Sequence, residues 1–254
     1  ARITGIDDGE EETVLDLTVK KGMNQGWFGN ADVAGGTEDR YMGRFMLNRF
    51  VDKTQVSVVG SANNVNDQGF SGGGGPPRWR RNNGLTATKM LGVNFATQTD
   101  KLELGGSARY NYQDGDIASI GSTEDFLPDG NSYSNSNSRQ RNKAKNFNAD
   151  FRMEWKPDSM TNIIFRPNFS YGKTDNLSNS ESGTFSSDPY SLVSDPNNWL
   201  NLEKILNPDD DPLRSIRINA INSGSLSDNK SVSTDATLQL NRKLNDKGRN
   251  VTFR

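Results

Sequence analysis

Nine charged side chains stand in stretches where polar and apolar residues alternate one by one: Arg44, Lys101, Glu103, Arg109, Asp150, Arg152, Glu154, Arg166 and Asp235. Such groups make charge-assisted hydrogen bonds to a polar partner, or simply solvate a wet surface. A second group is the run from Phe70 to Arg81, with four consecutive glycines, Gly72 to Gly75, ahead of Arg78, Trp79, Arg80 and Arg81. Glycine backbone can cradle an anion, and Arg beside Trp can stack on a sugar or nucleobase. No strand-to-helix context accompanies it, so it matches a phosphate loop poorly and reads more readily as a solvated loop with a basic tip. A third is Asn207-Pro208-Asp209-Asp210-Asp211-Pro212, where Asp209 and Asp211 are weak calcium candidates. Carboxylate oxygens suit that cation, but the spacing is not that of a known calcium loop, and the flanking prolines suit an ordinary turn.

Chemistry of familiar enzymes is harder to place. The chain has no histidine and no cysteine. The usual general base, the thiolate nucleophile and the common zinc ligands are therefore missing, and no catalytic constellation stands out. Strand parity alone does not set the separation that paired hydrolytic carboxylates need. The reading is of a protein that is not an enzyme and calls for no cofactor. Thirty basic and 32 acidic residues leave a formal charge of −2, which argues against general affinity for nucleic acid.

The elements that position these residues are strands. From Leu102 to Tyr112 the residues Leu102, Leu104, Gly106, Ala108, Tyr110 and Tyr112 alternate with Lys101, Glu103, Gly105, Ser107, Arg109 and Asn111. Phe147, Ala149, Phe151, Met153 and Trp155 oppose Asn148, Asp150, Arg152 and Glu154 in the same way. Period two is the strand period. Nine strands are expected from Trp27 onward, with a bulge or local opening at Pro167, which cannot donate to a ladder. An earlier strand over Val14 to Val19 is placed outside this set. The segment Asn198 to Leu206 has helical spacing, with Trp199, Leu200, Leu202, Ile205 and Leu206, and predicts a short amphipathic helix that packs over the sheet's mouth or binds a partner.

An apolar content of 31% and a mean hydropathy of −0.81 fit either partial disorder or strands that are polar on one face. No run approaches the ~20 apolar residues of a helical membrane span; a barrel strand needs only ~9–11 of alternating character. Short polar turns near 52–54, 98–101, 156–159 and 245–248 alternate with long stretches near 65–85, 114–144 and 174–231. That asymmetry predicts an all-β, antiparallel up-and-down transmembrane barrel portion of about nine strands, with short periplasmic turns and long extracellular loops. Arg78, Trp79, Arg80, Arg81 and Trp199 then become extracellular ligand candidates, the basic tip lying near acidic lipopolysaccharide. The nine alternating charges become lumen-facing. Trp155 near a short turn and Tyr110, Tyr112 and Tyr171 at the far strand ends fit two aromatic girdles. The competing expectation is a soluble β-sandwich, or a surface-adhesion module without transport.

Ile3-Thr4-Gly5-Ile6-Asp7-Asp8-Gly9-Glu10, then Lys20-Lys21-Gly22 and Gly26-Trp27-Phe28-Gly29-Asn30, resemble the passage from plug to first barrel strand in TonB-dependent receptors. Gly60-Ser61-Ala62-Asn63-Asn64-Val65-Asn66, with Gly69-Phe70-Ser71, and Phe147 to Pro157 are similar to the branch called the outer-membrane β-barrel protein family. The resemblance implies a plug inside a barrel of about 22 strands. It divides the chain into residues 1–21, the end of a plug-like region and linker, and residues 22–254, the N-terminal part of a barrel. It implies a bacterial outer-membrane location and import of a nutrient that could be peptide, glycan or metal chelate. Its implied partners are outer-membrane lipid, a TonB-type energy-coupling protein, the nutrient itself and a surface lipoprotein. The nine charges would then hold the plug. With no signal peptide at its start and nine strands rather than a full barrel, the chain is expected to be a piece of something longer.

Overall fold

The computed structural model describes residues 25–67, 84–128, 130–207, 210–245 and 249–254. The expected strand at Val14–Val19, the plug-like residues and the loop bearing Arg78, Trp79, Arg80 and Arg81 lie outside the described residues, as does Asp209.

One antiparallel sheet of nine strands runs in sequence order: β1 (Gln25–Gly35), β2 (Tyr41–Val51), β3 (Thr54–Asn63), β4 (Leu85–Gln98), β5 (Leu102–Asp125), β6 (Ser132–Asp158), β7 (Thr161–Phe185), β8 (Arg217–Lys243) and β9 (Asn250–Phe253). The expected strand number and up-and-down order are both present. The sheet is open: β1 and β9 do not pair with each other, and β9 covers only Leu240 to Lys243 of β8.

The alternating pattern translates directly into two faces, because cross-strand partners share a face. On one side, the row Leu91, Tyr110, Phe147, Tyr171 and Val232 crosses five strands in register. Lower on the same side runs Leu102, Trp155, Ile163, Leu240 and Phe253. Between those rows β6, β7 and β8 each span about nine residues, the height a ~9–11-residue membrane strand provides. Among the described residues no second layer covers this face, and its large side chains are exposed: Trp27 64%, Leu91 51%, Trp155 43%, Leu238 59%. Among the described residues the buried apolar side chains are few: Val59, Phe185, Leu200 and Leu213, with Pro189 and Pro196.

One sequence expectation is corrected in geometry. The stretches near 114–144 and 174–231 are largely strand rather than loop. β5 to β8 are 24, 27, 25 and 27 residues long, against 11, 11, 10 and 14 for β1 to β4. They run on beyond the tyrosine row for roughly 13–15 residues, ~45 Å at 3.3 Å per residue. Tyr110, Tyr112 and Tyr171 therefore lie mid-strand, at the top of the apolar band. Ser, Asn and Gly made these stretches look like loops, yet they stay paired strand to strand, including a transverse row Ser119, Ser138, Ser180 and Ser223, with one register shift at Thr184/Phe185. At Pro167, of the bulge or local opening expected, the opening is what is present: the β6–β7 register passes from Asp150↔Asn168 to Met153↔Phe165 unshifted with a gap in the pairing between, and a register shift falls separately at Trp155/Asp158.

Candidate binding surface

Of the nine predicted polar residues, eight lie on strands and share the face opposite the apolar band. Lys101 is the exception. It sits in the turn before β5, where its carbonyl accepts from the Lys156 amide at 2.7 Å. Arg44 donates to Asp32 at 2.7 Å, a partner across β1–β2 that alternation alone did not single out. Glu154 is held by Arg152 and Lys156, both at 3.0 Å, and accepts from Asn162 at 3.3 Å. Asp150 accepts from Ser107 directly across β5–β6. Glu103, Arg109, Arg166 and Asp235 make no ion pair among the described residues. The face therefore combines anchored charges with others left available to a partner. Phe28 and Phe50 stack at 5.3 Å on it as well, an apolar pair that strict alternation had not assigned there.

At the start of the loop that follows β3, Asn63 is 1% exposed and ties three segments together. Its amide nitrogen donates to the Asp67 carbonyl at 2.8 Å and to Thr88 Oγ1 at 2.7 Å, while its oxygen accepts from the amides of Val65 and Asp67. Asn64 accepts from the Tyr41 amide, and Asn66, at φ 61, accepts from the Thr86 amide and donates to the Gly84 carbonyl. Asparagine suits each position because its side chain imitates a peptide group, and at Asn66 because it also tolerates left-handed backbone.

The described residues 186–207 and 210–216 form a small cap at the end of the β7–β8 hairpin. It contains 3-10 turns at Pro189–Ser191 and Pro196–Trp199 and a one-turn helix, α1 (Leu202–Leu206), each capped by the preceding Asp188, Asp195 or Asn201. The single amphipathic helix expected over Asn198–Leu206 is thus divided at Leu200–Asn201, with Leu202 and Leu206 exposed. Phe185, Leu200 and Leu213 form the core, with Tyr133, Val193, Trp199 and Ile216 against it. Asn137 donates to the Asn197 carbonyl at 2.8 Å and Asn135 to the Tyr190 hydroxyl at 3.2 Å. Both asparagines share the face that continues the apolar band, so the cap folds onto the outward side of the hairpins rather than over the polar mouth.

Asp211 is accounted for in this core. Its carboxylate pairs with Arg217 and accepts from the Leu213 amide at 3.0 Å, while Arg217 also donates to the Trp199 carbonyl at 3.0 Å. A guanidinium therefore occupies the place where calcium was considered. Trp199 is a half-buried core residue stacked under Lys204, 4.4 Å from ring centroid to Nζ, and not a free ligand platform.

Between cap and sheet lies a cleft of about 360 Å³, bordered by Ile120, Asn137, Arg139, Glu181, Asp195 and Asn198. The side-chain oxygens of Asn137 and Asn197, which border it, are buried without a hydrogen-bond partner, as is that of Asn135 nearby. Such acceptors lose free energy until a donor reaches them. Close by, two ion pairs stiffen the projecting hairpin: Arg139 to Asp116 at 2.7 Å and Arg141 to Asp114 at 3.1 Å. Hydrogen bonding to these guanidiniums holds both carboxyls below the usual carboxylate range. No protein-family model, curated protein or solved structure matches the chain.

Proposed function

We propose that the chain is a portion of a TonB-dependent outer-membrane receptor that binds a nutrient at its projecting hairpins and imports it through an energised, plugged barrel. The observation that carries the reading is the uncovered apolar face, about nine residues high, banded by aromatic rows and backed by a charged face. A soluble β-sandwich would bury that face under a second sheet. Lipid is the solvent in which it can stay bare, provided further strands pair with the open edges, at β1 on one side and along β9 and the rest of β8 on the other. Glu103, Arg109, Arg166 and Asp235 are the plug-facing groups of this reading, and the cleft beside the cap is its ligand candidate. The alternative is a surface-binding module without transport.

Detergent dependence tests the proposal. The purified chain should aggregate in plain buffer and become monodisperse with β-type circular dichroism on transfer to detergent micelles or lipid vesicles. A monodisperse, cooperatively unfolding chain in plain buffer would refute it and favour the sandwich or adhesion module.

A further inference from the structure

Two residues above the aromatic row, on the same outward face, lies a second row in register: Lys89, Tyr112, Lys145, Lys173 and Lys230, across β4 to β8. Three of its lysines, Lys145, Lys173 and Lys230, are direct cross-strand neighbours, an arrangement that costs stability because like charges face each other about 5 Å apart. The existing partners relieve it only partly. Lys173 reaches Asp175 at 3.3 Å and Asp228 at 3.4 Å. Lys230 leans down over the Tyr171 ring, 5.8 Å from its centroid. Lys89 and Lys145 make no ion pair or hydrogen bond among the described residues. The next row, Asp114, Lys143, Asp175 and Asp228, carries the nearest carboxylates, and Asp114 is already engaged by Arg141.

We infer that this lysine row is a binding belt for the phosphate groups of outer-leaflet lipid. The inference rests on the membrane reading above. In that frame the row lies ~6.6 Å above the aromatic row, at two residues of 3.3 Å each, where the hydrocarbon ends and headgroups begin. Lysine stems lie along the apolar band while their ammonium groups reach the headgroup level. Phosphates set between adjacent strands turn a repulsive row into a neutralised one. The local sign also runs against that of the whole chain, which is −2. Lipid phosphate fits better than a free anion because the row is open, shallow and a few ångströms from bare hydrocarbon-facing side chains.

The test compares the 254-residue chain with K89Q/K145Q/K173Q/K230Q, using phosphatidylcholine vesicles with and without bisphosphorylated lipid A. A basic residue near an anionic surface adds about fivefold to affinity, so the parent should prefer lipid A vesicles by more than tenfold. The quadruple variant should insert into phosphatidylcholine as the parent does yet lose that preference, and the corresponding four-arginine variant should keep it. A control K53Q/K243Q, changed at the short-turn end, should also keep it. Equal binding of parent and glutamine variant to both vesicles, with normal insertion, would overturn the belt while leaving the membrane reading standing. Reversal of the preference by millimolar inorganic phosphate would assign the row to a free anion and also overturn it. Failure of the parent to insert into either vesicle would defeat the membrane reading itself.

Discussion

Replacing Arg217 by alanine should unlock the cap and leave the sheet intact. The Arg217 side chain is 9% exposed and that of its partner Asp211 2%, so the substitution strands a carboxylate in a nearly dry site. It also removes the donor to the Trp199 carbonyl and the cation 5.9 Å from the Phe185 ring. Breaking one side of a buried ion pair costs about 3–5 kcal/mol. A local transition that loses this much changes its opening constant by about 150- to 5,000-fold. The core that resists opening is only Phe185, Leu200 and Leu213 with their half-buried neighbours, so the loss is comparable to all that the cap has to lose. Hydrogen exchange followed by mass spectrometry reads this directly. Amides within 188–216 should lose protection, while those of β5 and β6 below Tyr112 keep theirs. D211L/R217M, which removes both charges, should recover much of the protection, because an apolar pair of similar volume needs no partner. Cap protection changed less than threefold in R217A would refute the assignment of this pair as the cap's lock. Loss of protection throughout the sheet would refute the cap's independence.

Three further outcomes follow from other parts of the sheet. Val93 lies inside the apolar band, paired with Val58 and Ala108, and V93R should destabilise the lipid-inserted chain by about 2–4 kcal/mol in urea titrations, whereas N94R on the opposite face should cost far less. Because Asp114 and Asp116 have depressed carboxyl pKa values in the folded chain, their contribution is present above the unfolded value of about 3.9 and lost as pH falls through the lower folded values. Pepsin cleavage within 113–146 should therefore rise below about pH 4, and R139Q/R141Q should flatten that rise relative to the parent. N63A, by removing the acceptor of the Asp67 and Val65 amides and the shared donor to the Asp67 carbonyl and Thr88 Oγ1, should cost about 1–3 kcal/mol and raise hydrogen exchange at the amides of residues 64–67 before those of the sheet.

The strands were legible where alternation contrasted large apolar residues with charges, as in Phe147 to Trp155. Above Tyr112 that contrast fades into Ser, Asn and Gly, residues that prefer turns, and there the sequence reads as loop although the ladder continues. What carries the strands on is pairing with neighbours already in register, a tertiary effect that single-strand propensity does not contain. The cap was legible in part. Trp199, Leu200 and Leu206 announced helical spacing, but Asn201 caps a new start and divides the helix. Asp211 looked like an oxygen ligand because its partner Arg217, six residues on, is brought to it only when the hairpin closes. The charged face was legible by parity, while the partners of its members were not: Asp32 for Arg44 and Asn162 for Glu154 are set by the register between strands.

Parity also changes meaning with height. On the outward face even residues of β5 are Leu102, Leu104, Gly106, Ala108 and Tyr110, then Tyr112, then Asp114 and Asp116. Across β6 the same face passes from Phe147 to Lys145, Lys143, Arg141 and Arg139. The backbone does not change at this level; only the solvent demanded by the side chains does. Across β4 to β8 the outward face passes at this row from mainly apolar to mainly polar side chains, although Leu85, Leu177 and Leu226 stand exposed above it. The proposed bilayer setting supplies a reason for the change, since water begins at that level. Under the proposed membrane reading, the line through Tyr112, Lys145, Lys173 and Lys230 separates the part of the sheet matched to lipid from the projecting hairpins. Substitutions below it should be judged by transfer into hydrocarbon, and those above it by their effect on the hairpins, the cap and its cleft.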